Sequence, residues 1–188
     1  MTISRKLYWS LAAITILFLI LLNVLKVQDI VARKFGYAGS VPMFALDQMP
    51  LGYSPQEVFE VMTAYGEAGR RAYAFLLLTC DLVFPFLYGS FLFLSIWAVS
   101  RKAGVTELWA AAFAGCGYVA TVFDWMENIS FLDLIWNFPR ESTGVARLAS
   151  FFTVSKFFFS GVSLVVLAVL GIYVLGKSRK TGSPTKSS

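Results

Sequence analysis

Residues 145–175 read VARLASFFTVSKFFFSGVSLVVLAVLGIYVL. From Phe157 to Gly176 there are 20 residues without a charge. A helix rising about 1.5 Å per residue needs roughly that many apolar residues to cross the hydrocarbon core of a bilayer. Just upstream, Thr153, Lys156, Ser160 and Ser163 recur at helical spacing and form a polar stripe on an otherwise Phe- and Val-rich helix. The segment reads as a membrane helix with one ionisable group on one face.

Working outward, three more segments have the same character. Residues 108–137 stop before Pro139, with Trp136 placed as an interfacial anchor. Residues 72–100 are bracketed by Arg70-Arg71 and Arg101-Lys102. Residues 7–27 follow Arg5 and Lys6. A cleaved signal peptide has an apolar stretch of about 7–15 residues and a small-residue cleavage site. This first run is longer and no such site precedes Lys26, so it reads as a retained span. The expected fold is all-α, a polytopic membrane protein with a single four-transmembrane-helix bundle over residues 1–177.

The totals agree. The chain is 57 % hydrophobic and 14 % charged, with a mean hydropathy of +0.69, whereas soluble domains run near 45–50 % apolar and about 25 % charged. The net charge of +5 sits in short clusters at the ends of apolar runs, as the positive-inside rule expects, so no nucleic-acid partner is expected. Histidine is absent, which removes the commonest transition-metal ligand and general base. Cys80 and Cys116 lie inside apolar runs with no CxxC, so quinone-linked thiol oxidation lacks its exposed cysteine pair. No phosphate loop, dinucleotide fingerprint or nucleophile elbow occurs, and no metal or cofactor is expected.

The one sizeable extramembrane segment is 28–69. Gly36, Gly39, Pro42, Pro50 and Gly52 break its first half into turns. Ser54-Pro55-Gln56-Glu57 is then a helix start: Ser54 the cap, Pro55 the first helical residue and Glu57 the reciprocal partner of a capping box. Val58, Val61, Met62 and Tyr65 continue it as an amphipathic helix over 55–66. Gly66 and Gly69 loosen the approach to the next span. The tail, 178–188, is polar and basic and reads as disordered. With both termini in the cytoplasm, the inner segments are short and basic and the outer ones long, which favours that orientation.

Four charged residues lie well inside the apolar runs, away from their ends: Asp81, Asp124, Glu127 and Lys156. A charge at the bilayer centre is costly, about 2.5–3.5 kcal/mol on insertion scales, so such residues mark candidate sites. Counting from the span ends at about 1.5 Å per residue places Asp81 roughly 16 Å and Lys156 roughly 13 Å below the outer surface, and Asp124 roughly 24 Å up from the inner one. All fall in the outer half. Asp124, Glu127 and Asn128 share one helix face, and Asp81, Pro85 and Tyr88 share another. The stripes are expected to converge, with Lys156 leaning toward Asp124 and Glu127. Pro85 removes the partner of the Asp81 carbonyl and predicts a kink there, a place for water, a proton or a hard cation.

Buried pairs of this kind can also do no more than hold helices together. The functional expectation is an outer-half polar pocket that binds a lipid-like or small amphipathic molecule, with or without acting on it. Asp81, Asp124, Glu127 and Lys156 are its contacts and Tyr88 and Asn128 assist. Membrane lipids are the expected partners. The alternatives are proton or cation conduction by a homo-oligomer, or an accessory subunit of a membrane complex. Arg70 and Arg71 are candidate interfacial phosphate ligands, or a topological clamp. Ala111 and Gly115 have small-xxx-small spacing, which predicts close packing of the third span.

Overall fold

The computed structural model describes residues 4–181. The chain is all-helical, with no strand among the described residues. Helix α1 spans Arg5–Leu19 and ends in a π-helical turn, Ile20–Val24. Helix α2 is Val27–Lys34, α3 is Pro55–Leu78, α4 is Cys80–Ala103, α5 is Glu107–Asn137 and α6 is Thr143–Thr181. Among the described residues, three stretches are long and apolar enough to cross a membrane: Arg5–Val24, Pro55–Ala103 and Thr143–Ser178. They are compatible with an integral multi-pass membrane protein. Helix α5 is not among them, because Asp124, Glu127 and Asp133 lower the hydropathy of its second half.

The capping box forms as its sequence predicts. The Ser54 amide donates to Glu57 Oε2 at 2.7 Å, and the Glu57 amide donates to Ser54 Oγ at 3.2 Å. The helix it starts does not stop at residue 66. Gly66, at φ 58 and ψ −172, kinks it, and it continues to Leu78. That backbone conformation is open to glycine and strained for other residues. The break comes instead at Thr79, so the expected 72–100 span is two helices, α3 and α4, rather than one. Of the expected disordered tail, α6 takes in residues up to Thr181, and 182–188 lie outside the described residues.

Two zones follow from this layout. At one end the loop after α2 folds over α3, so that Met43, Phe44 and Leu46 are buried with Val58, Met62 and Tyr65 and with Phe131 and Leu134 of α5. Tyr65 pins the loop by donating to the Pro42 carbonyl at 2.8 Å. Below that cap, α4, α5 and α6 pack on one another and α1 packs on α4. The most apolar window of α6 is only 6 % buried. Outward-facing apolar surface of that extent is unusual for a chain surrounded by water.

Helices α4 and α5 meet at glycine. A Cβ on Gly89 would lie 2.1 Å from Thr121 Oγ1, and one on Gly117 would lie 3.1 Å from the Gly89 carbonyl. The close face of α5 is therefore Ala110, Ala114, Gly117 and Thr121, all buried. Ala111 is exposed and Gly115 has open space around it, so the small-residue pair expected to pack closely does not. Cys80 and Cys116 are free thiols.

Candidate functional site

The four charged residues that lie well inside the apolar runs are all buried, and three helices bring them together. Lys156 Nζ donates to Asp124 Oδ1 at 3.1 Å and stands 2.5 Å from Glu127 Oε2. The latter contact is an ion pair rather than a directed hydrogen bond, and no other group satisfies that oxygen. The Lys156 ammonium also pairs closely with Asp47 Oδ1. Asp47 lies in the loop before α3, and the sequence reading does not single it out. Its side chain is 24 % exposed, against 7 % for Lys156 and none for Glu127.

Hydroxyl donors complete the arrangement. Tyr88 donates to Asp124 Oδ2 at 3.0 Å. Thr153 donates to Glu127 Oε1 at 2.5 Å, and Tyr53 lies 2.9 Å from the same threonine oxygen. A threonine hydroxyl has a single proton, so Tyr53 is the donor in that contact and the order runs Tyr53 to Thr153 to Glu127. Burial, with the charge of Glu127 adding to it, raises the Tyr53 phenol above its ordinary range and keeps it a donor.

Asp81 stands apart from the lysine. It lies in the first turn of α4, where the helix N-terminus favours a negative charge. Its Oδ2 is buried and has no hydrogen-bond partner. The carbonyl that Pro85 leaves without an in-helix donor is not open: Asn128 Nδ2 donates to it at 3.1 Å. Trp125 Nε1 donates to the Leu82 carbonyl at 3.0 Å and Thr121 to the Pro85 carbonyl at 2.8 Å. Thus α5 side chains take up the α4 backbone around the proline, and the other end of the Asn128 amide, Oδ1, is buried without a hydrogen-bond partner.

Asp47, Asp81 and Asp124 each present an oxygen, and these lie within 4.8 Å of one another. They border a cavity of about 400 Å³. Leu22, Phe44, Phe84 and Phe157 form its apolar wall, and Gln28 joins the acids on its polar side. Two backbone irregularities border it. Leu22 and Asn23 belong to the π-helical turn of α1, a feature often found at functional sites. Phe44 is held at φ 62, which is strained for an aromatic residue. Glu127 does not line the cavity and braces Lys156 from behind.

Arg70 is engaged within the protein through one of its donors. It donates to the Met62 carbonyl at 2.8 Å, and its guanidinium lies 3.8 Å from the centre of the Phe138 ring. Arg71 is exposed. No protein-family model, no curated protein and no solved structure matches the chain.

Proposed function

We propose that the chain is a four-span membrane protein, with α1, α4, α5 and α6 crossing the bilayer, whose outer-half polar site binds a lipid-like or small amphipathic molecule. The observation that supports this is the cavity of about 400 Å³, with an apolar wall beside Asp47, Asp81 and Asp124. A chamber of that size with apolar sides and a few converging polar groups suits the head and first carbons of an amphipathic molecule. Lys156 pairs with Asp47, Asp124 and Glu127, and Asp81 adds a fourth carboxylate beside Asp47 and Asp124. The acids outnumber the base, so the ligand's polar end brings hydrogen-bond donors or positive charge. The amino terminus and carboxyl terminus are placed in the cytoplasm, with the α2–α3 cap on the outer side.

Mass spectrometry of lipid that co-purifies with the parent, Asp81→Asn and Asp124→Asn chains tests the reading. The parent is expected to carry a defined amphipathic species that both variants lose. The same lipid content in all three would refute it. Conduction across the whole bilayer draws less support. The buried polar residues of α4 inward of Asp81 are Ser90, Ser95 and Ser100, with no carboxylate to continue a relay.

A further inference from the structure

The acceptors around the cavity outnumber the donors. Lys156 satisfies Asp47, Asp124 and Glu127, and Tyr88 adds a bond to Asp124. Asp81 receives neither, and its buried Oδ2 is unpartnered. A separate residue on a separate helix shows the same deficit. Gln28, in α2, is 6 % exposed and lines the same cavity, and its Oε1 has no donor. An orphaned buried acceptor costs about 1–3 kcal/mol, more when charged, and a second one at the same cavity points to a missing positive group.

The spacing narrows what that group is. Calcium holds oxygen ligands at about 2.3–2.6 Å, so two ligands on opposite sides of one ion are about 4.6–5.2 Å apart. The three carboxylate oxygens lie within 4.8 Å of one another, close enough for one such ion to gather them with small side-chain shifts. Magnesium, at about 2.0–2.1 Å, demands near-ideal octahedral geometry and usually keeps several waters, so protein oxygens from separate elements favour the more adaptable calcium. The donors are all hard oxygens, the chain has no histidine, and neither cysteine lines the cavity, which disfavours zinc and copper.

We infer that Asp47, Asp81 and Asp124, with the amide oxygen of Gln28, bind a hard divalent cation of calcium size. The ion takes the unpartnered Asp81 and Gln28 oxygens and adds positive charge where acids outnumber bases. Lys156 holds Asp47 and Asp124 in place. The remaining volume of the cavity is left for water or for a ligand oxygen completing the coordination. This inference stands without the amphipathic ligand, because it rests on the unpartnered Asp81 and Gln28 oxygens and on the spacing of the acids.

The test is calcium titration, by calorimetry, into the full chain stripped with chelator and held in phosphatidylcholine nanodiscs, which carry no net lipid charge. One saturable site per chain is expected, with a dissociation constant below about 1 mM. Asp81→Asn should weaken it at least about tenfold and Gln28→Leu by a smaller factor, while the surface variant Glu60→Gln binds like the parent. Magnesium should compete poorly. Absence of saturable binding in the parent up to about 10 mM calcium overturns the inference, whatever the variants do. So does an Asp81→Asn chain of parental helicity that binds calcium as tightly as the parent, since the ion then sits elsewhere. Should Asp81→Asn not fold, Gln28→Leu decides in its place, and undiminished binding there refutes the site. Calcium binding with no co-purifying amphipath would remove the ligand reading and leave this one.

Discussion

The ammonium of Lys156 stands 2.5 Å from Oε2 of Glu127, a side chain with no exposed surface. Removing the lysine leaves that carboxylate buried without a counter-charge, and breaking a buried pair costs about 3–5 kcal/mol. Lys156→Met should lower the melting temperature of the detergent-solubilised protein accordingly. Adding Glu127→Gln should recover a large part of the loss, and adding Asp81→Asn much less, because Asp81 makes no ion pair with the lysine. Equal rescue by the two would show that the lysine answers to the summed field of the acids and not to its contacts.

Lys156, Asp124 and Glu127 are legible in the sequence because each places a charge deep inside an apolar run, where it is costly. Asp47 is not, because an acid in a turn-rich loop needs no explanation where it stands. Only the burial of its neighbours Met43, Phe44 and Leu46 carries that loop inward, and their apolar character is the signal that could have found it. The four-residue spacing of small side chains on α5 is also legible, but not its phase. Ala111 and Gly115 have the same spacing as Ala110 and Ala114, turned by one residue. The choice between them is made by Gly89 on the partner helix. The break at Thr79 has no sequence marker, since neither proline nor glycine stands there.

That phase makes a prediction with two signs. Gly89→Ala would place a Cβ 2.1 Å from Thr121 Oγ1, whose hydroxyl is tied to the Pro85 carbonyl. Forcing α4 and α5 apart should destabilise the fold by about 1–3 kcal/mol. Gly115→Ala meets nothing within 4 Å and gains helix propensity, so it should be neutral or stabilising by up to about 1 kcal/mol. Melting temperatures of the two variants that move the same way would show the α4–α5 packing described here to be wrong.

The start of α3 carries a pH dependence. Hydrogen bonds from the Ser54 amide and then from its hydroxyl hold the Glu57 carboxyl below its ordinary value of 4.5. A group whose folded value is lowered adds stability that is present above its unfolded value and lost as the pH falls through the folded one. Parent and Glu57→Gln should therefore differ most in melting temperature at neutral pH, the parent being the more stable. The gap should close below about pH 4. A gap that widens on acidification would mean that the carboxylate does not cap the helix.

The last prediction turns on the carbonyl of Asp81. Proline has no N–H to donate to the residue four positions earlier, so Pro85 leaves that oxygen without an in-helix partner, and the Asn128 side chain donates to it at 3.1 Å instead. Asn128→Leu should leave a buried acceptor unpaired and destabilise the protein by about 1–3 kcal/mol. Pro85→Ala supplies a backbone N–H at the position where the helix would normally provide one. Combined with Asn128→Leu, it should recover most of the loss, because the carbonyl then has its helical donor and no longer depends on the neighbouring helix. Taken alone, Pro85→Ala should gain little, since Asn128 already fills the role and its amide is left to compete with the new bond. The double-mutant cycle measured by thermal unfolding in detergent decides the matter through its coupling term. Strictly additive effects would mean that the asparagine does not replace the proline's missing bond, and that α4 is held straight or bent by packing alone.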